Sequence, residues 1–252
     1  MRGDVGSLDL SGLIDAWERA WPDRPIDRVL AILRATSGLA PRALAGESLG
    51  RRDRRLLALR QQLFGSKLEC LADCPACGES LEFACDAGDL TAPFAEARED
   101  AGDGACQRLD RDGYQVHYRV PVSSDLQLLE AGEEPSRARR RLLDGCVLEA
   151  RRAGERVSVD DLPAGLVAEL CAGMAATDAQ ADVVVALRCP ACDVSWRAGF
   201  DIGGYLWTEL EAWVQRTLVQ VHSLASRYGW SEREILSMTP WRRQVYQGFA
   251  DR

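Results

Sequence analysis

Lysine is almost absent from this chain: of its 31 basic residues only Lys67 is not an arginine. That bias reflects an Arg-rich genomic background more than a mechanism. Long apolar runs are missing too. No stretch approaches the 18 apolar residues of a membrane-spanning helix, so no membrane insertion is expected. Residues 1–13 mix Arg, Asp and Gly with a few leucines and lack the apolar core of a signal peptide. Acidic residues outnumber basic ones, 39 to 31, for a net charge of -8. An acidic surface argues against whole-surface binding to nucleic acid or anionic lipid. Walker, Rossmann, G-x-S-x-G and H-E-x-x-H patterns are absent, and no Cys/His pair reads as catalytic, so no enzyme activity is expected. The two histidines, His117 and His222, read as surface or core residues.

What is present is a globular chain of 252 residues, 46% of them hydrophobic, enough for one large domain or two modest ones. The nine cysteines are an odd number without a secretory signal, which fits a reducing cytoplasm better than a disulfide framework. Residues 8–20, 26–36 and 51–64 carry apolar side chains at helical spacing. From Lys67 the period becomes two: Leu68, Cys70 and Ala72, then Leu81, Phe83 and Cys85, flank a tight Cys74-Pro75-Ala76-Cys77-Gly78 turn. Residues 87–112 read as an irregular acidic loop and 115–120 as a strand. Helices are predicted at 126–131, at 137–150 and after Pro163. Residues 183–187 form a further strand that runs into Cys189-Pro190-Ala191-Cys192, with Val194, Trp196, Ala198 and Phe200 alternating beyond it. Residues 205–228 form a long amphipathic helix ended by Gly229. Ser231 and Glu234 then make a capping box, and Thr239-Pro240 opens a last helix. The predicted class is α+β, mainly helical, with a small antiparallel β unit.

Cys74, Cys77, Cys189 and Cys192 are the one constellation with chemistry. A two-residue spacer lets both thiolates of a pair face one ion, and two such knuckles complete a four-cysteine site. Proline after the first Cys presets φ, and Gly78 permits the positive φ that returns the chain to a strand. Asp193 stands where the second knuckle would take a glycine. A redox dithiol would place C-x-x-C at the start of a helix, whereas strands flank both turns here. Inert buried cysteines would need no such punctuation twice. Structural Zn2+ is the default ion and iron the lesser alternative. Cys85, Cys146 and Cys171 read as core, and Cys70 and Cys106 as spare ligands at most. Trp207, Trp213, Trp230 and Trp241 read most simply as core, or as a subunit interface.

Three stretches carry a family resemblance. They are Leu56 through Gly65 to the first knuckle with Leu81-Glu82-Phe83; Leu187-Arg188 and the second knuckle with Trp196, Phe200-Asp201-Ile202 and Leu206-Trp207; and the ending Tyr228-Gly229-Trp230-Ser231-Glu232, Glu234-Ile235-Leu236, Arg242-Arg243 and Tyr246. Together they resemble the baseplate protein family of T4-like bacteriophages, in the zinc-ribbon form found with phage-tail-like contractile injection systems. The resemblance implies a non-enzymatic baseplate (hub) subunit or assembly factor. Its partners would be other baseplate, hub or tube proteins, and it would assemble in the cytoplasm, with or without staying in the particle. The alternative is a zinc-ribbon nucleic-acid-binding or transcription-associated module. Such ribbons carry basic and aromatic strands, whereas these carry Glu69, Asp73, Glu79, Glu82 and Asp86. The expected organisation is an N-terminal helical region (1–66), a zinc-ribbon β unit (67–202) with a helical insertion (121–181), and a C-terminal helical region (203–252).

Overall fold

The structure, a computed structural model, describes residues 10–91 and 106–250. The chain opens with four helices, α1 (Leu10–Ala20), α2 (Pro25–Ser37), α3 (Pro41–Gly46) and α4 (Leu49–Phe64). A hairpin of β1 (Lys67–Asp73) and β2 (Ser80–Asp86) leads into α5 (Ala87–Thr91). Then come β3 (Gln107–Arg111), β4 (Tyr114–Tyr118), α6 (Ser123–Gln127), α7 (Pro135–Cys146), β5 (Val147–Arg152), β6 (Glu155–Arg156) and α8 (Ala164–Thr177). The second hairpin, β7 (Val184–Arg188) and β8 (Ser195–Gly199), precedes α9 (Ile202–Tyr228), α10 (Glu232–Leu236) and α11 (Pro240–Ala250). The α+β, mainly helical class is as expected.

Two compact units form, one from Met1–Leu39 with Gly203–Arg252, the other from Ala40–Ile202. This division departs from the expected boundaries, because α3 and α4 group with the ribbon and α1 and α2 with the C-terminal helices. Interactions distant in sequence decide it. The N-terminus of α4 is held by Asp178, whose carboxylate accepts from the Gly50 amide at 2.8 Å. Leu44 and Leu57 are buried, and α3 contacts α6.

In the larger unit, β3 to β6 form a four-stranded antiparallel sheet in sequential order. Its inner face presents Tyr114, Val116, Tyr118 and Ala150 to Leu143 and Cys146 of α7 and to Leu166, Leu170 and Met174 of α8. Residues 121–181 are mainly helical, through α6, α7 and α8, but they also supply β5 and β6 to this sheet. Residues 147–150, predicted as the end of a helix, leave it at Cys146 and pair with β4. The sequence Val147-Leu148-Glu149-Ala150 fits either period, and the open edge of β4 decides for strand. Residues 107–111, read as loop, are β3, turned back onto β4 by Asp112 (φ 50°) and Gly113 (φ 79°). Asp-Gly with both residues left-handed is the two-residue hairpin turn. Residues 92–105 of the acidic segment lie outside the described residues.

In the smaller unit, Pro25 opens α2 and Gly38 at φ 66° ends it. Along α9 a steady three-and-four stripe is buried, through Leu206, Leu210, Val214, Thr217, Val221 and Leu224, with Ile202 and Trp207 buried beside its start. Leu218, expected on that stripe, is 39% exposed because Thr217 takes the inward position. Gly229 ends α9 at φ 70°. The Ser231–Glu234 capping box forms as expected, with the Ser231 amide donating to Glu234 at 2.8 Å. Arg243, almost fully buried, donates to the Met238 carbonyl at 3.1 Å and so helps close the chain after α10.

Candidate metal centre

Each knuckle is the tip of a two-stranded antiparallel hairpin, and the two tips are built alike. The Cys74 amide donates to the Glu79 carbonyl at 2.9 Å and the Gly78 amide to the Cys74 carbonyl at 2.9 Å. In the second knuckle the Cys189 amide donates to Val194 at 2.9 Å and the Asp193 amide to Cys189 at 3.0 Å. Gly78 (φ 76°) and Asp193 (φ 60°) take the same left-handed conformation. Aspartate is among the non-glycine residues that enter this region most readily, and Arg188 reaches its carboxylate at 3.2 Å.

The tips meet although residues 78–188 separate their pairs. Cys74 Sγ lies 3.6 Å from Cys192 Sγ, and Cys77 Sγ lies 3.6 Å from Cys189 Sγ. All four sulfurs fall within 4.8 Å of one another, a group that could hold a metal ion. Cys74 and Cys189 are buried, while Cys77 and Cys192 are on the solvent side. Each close pair thus joins an inner sulfur of one knuckle to an outer sulfur of the other. Sulfurs on a tetrahedron with bonds of about 2.3 Å sit roughly 3.8 Å apart. The described arrangement is close to that without rearrangement of either hairpin.

Electrostatics favour a cation at the centre. Burial opposes ionisation of Cys74, but amides of Cys77 and Ala76 and the thiols of Cys192 and Cys77 outweigh it, bringing Cys74 down to about 7. For Cys192 the Val194 amide favours the thiolate, yet burial and the other three thiols push it up to about 12. Cys77 is also raised: the Glu79 amide and Cys192 favour its thiolate, and Cys189, burial and Cys74 overcome them. One negative charge is accommodated by the knuckle amides. Four thiolates this close need a counter-charge among them.

The remaining residues singled out in the sequence fall elsewhere. Cys146 is a core residue with its thiol pushed up to about 11 by burial and by the Asp125 charge. Cys70, Cys85 and Cys171 are half-buried. Trp207 is buried at 8% exposure, whereas Trp241 is 74% exposed and so is no core residue. Cys106 is exposed and lies 3.6 Å from His117 Nδ1, a contact that sequence reasoning missed with the β3–β4 hairpin. The Asp112-Gly113 dipeptide was the signal that would have found it. Asp53, which interrupts the arginines 51–55 and is placed by the sequence to pair with them, does pair with Arg52 at 2.7 Å, with Asp178 and Asp201 nearby. Among the described residues no helix is long and apolar enough to cross a membrane. No protein-family model, curated protein or solved structure matches the chain.

Proposed function

We propose that the four cysteines hold a structural zinc ion and that the protein is a non-catalytic baseplate subunit or assembly factor of a phage-tail-like contractile particle. Four protein thiolates would fill zinc's tetrahedral shell, so the ion's contribution is to tie the two hairpins together. The observation that carries the baseplate reading is the C-terminal ending on which the resemblance rests. Tyr228 stacks on Trp230 at 4.5 Å, and Tyr246 meets the Trp230 ring edge-on at 4.8 Å. The side chains of this ending therefore hold one another, so little ordering remains to be lost on docking. Trp241, on the neighbouring turn of sequence, is free to enter a partner. The outward faces of β1 and β2, with Glu69, Asp73, Glu82 and Asp86 exposed, argue against the nucleic-acid reading.

Deletion of the gene followed by electron microscopy of the particles is the direct test. Loose tubes or missing baseplates are expected. Normal, contraction-competent baseplates in the deletion strain would reject the proposal. Trp241→Ala should weaken partner capture while metal content stays at the wild-type value.

A further inference from the structure

The sheet of the larger unit has a polar outer face that neither its core nor the cysteine cluster uses. Register places Arg108 of β3 and Glu149 of β5 on either side of His117 on β4. Cys106, two residues before Arg108, is a diagonal neighbour of His117 on that face. Its Sγ lies 3.6 Å from His117 Nδ1, within reach of a sulfur hydrogen bond, and the residue is exposed. The other charged groups of this face are already paired. Arg108 binds Asp110 at 2.8 Å, and Glu149 receives Arg151 at 2.9 Å and Arg156 at 3.3 Å. Among the described residues the thiol is the hydrogen-bond partner of His117 Nδ1, and its Sγ also lies 3.7 Å from the Gln107 carbonyl oxygen. An exposed thiol within hydrogen-bond reach of an imidazole is the arrangement that activates cysteine for attack.

We propose that Cys106 is a thiolation site, with His117 as its base, that takes small-molecule disulfides. In this reaction Cys106 Sγ attacks one sulfur of the disulfide as its proton passes to His117 Nδ1. The S–S bond of the reagent breaks, and its electron pair leaves with the second sulfur. That thiolate takes the proton from the imidazolium, so one mixed disulfide and one free thiol form and His117 returns to its neutral state. The reagent disulfide is the oxidant, reduced by the same two electrons that Cys106 gives up. The site shares no residue with the four clustered cysteines.

The probe is 5,5′-dithiobis(2-nitrobenzoate) on the full chain, with release of the coloured thiol followed in time and the adduct located by peptide mapping. Cys106 is expected to be the first residue modified, and Cys106→Ser to abolish the fast phase. His117→Asn keeps a polar atom near Nδ1 but cannot take the proton, and should slow Cys106 modification about tenfold or more. His117 is on a solvent-facing strand position, and an unchanged circular dichroism spectrum confirms that the variant is folded. Modification of another cysteine first, or a wild-type rate in His117→Asn, would overturn the proposal.

Discussion

Asp53 carries a charge where the fold disfavours one. Its side chain is 15% exposed and lies against Arg52 at 2.7 Å. Burial pushes its carboxyl up to about 6; Arg52 pulls it down, and the charges of Asp201 and Asp178 work with burial. A raised carboxyl binds its proton more tightly folded than unfolded, so stability is highest below the unfolded value of 3.8 and falls as pH rises through about 6. The loss over that interval is about 2–3 kcal/mol. Asp53→Asn cannot titrate and should lack this slope. Urea unfolding of both proteins from pH 4 to pH 7 isolates the effect as a difference, since titrations common to both cancel. A difference that does not change with pH would show that Asp53 ionises normally. Asp125 behaves in the opposite sense. Despite its burial, the bonds from Arg119 at 2.6 and 2.8 Å and from the Val122 amide hold its carboxyl below the ordinary range. Its stabilisation is present above the usual carboxylate value and is lost as pH falls.

The start of α4 shows how an element can be legible while its anchor is not. Its apolar stripe, with Leu56, Leu57 and Leu59 buried, is readable from spacing alone. So are the Ser231 capping box and both knuckle turns, because every residue they need lies within a few positions. Ser48 caps α4 locally, its Oγ accepting from the Arg51 amide at 3.3 Å, and a second cap comes from Asp178, which accepts from the Gly50 amide at 2.8 Å and from Ser48 Oγ at 3.2 Å. Nothing local to Asp178 announces a helix beginning at Leu49. Strand β5 was hidden for a related reason: its residues fit two periods, and only pairing with β4 separates them. Close approach makes Gly50 irreplaceable. A Cβ there would collide with the Asp178 carboxylate and stand 2.9 Å from the Ala181 amide nitrogen, which is backbone and cannot swing away. Gly50→Ala is therefore expected to expel the cap and cost about 2 kcal/mol. Gly165, in α8, has open space where its Cβ would be, so Gly165→Ala should instead stabilise by about 0.5–1 kcal/mol. Denaturant midpoints that move the same way in both variants would contradict this contrast.

A metal at the four sulfurs would make residues 78–188 a closed loop, fastened between Cys77 and Cys189 as a cross-link fastens an unfolded chain. For a loop of this length the chain-entropy model gives about 4–5 kcal/mol. At roughly 2–4 °C per kcal/mol for a chain of this size, removal should lower the melting temperature by about 10 °C or more. Ligand deprotonation is coupled to binding, so the metal-dependent part should also fade under mild acid, where protons compete for the thiolates. We expect one equivalent of zinc per chain by elemental analysis, lost on prolonged chelation under reducing conditions and absent from Cys74→Ser and Cys192→Ser. Those two residues belong to different knuckles, so loss from either variant alone indicates one shared ion rather than two half-sites. Cys106→Ser, far from the cluster in sequence and on an exposed position, should retain both metal and melting temperature. An iron occupant would reveal itself by visible thiolate-to-metal absorption, which zinc lacks. Protein that contains neither metal, or that keeps its metal in Cys74→Ser, would show that the sulfurs meet without binding an ion as a set.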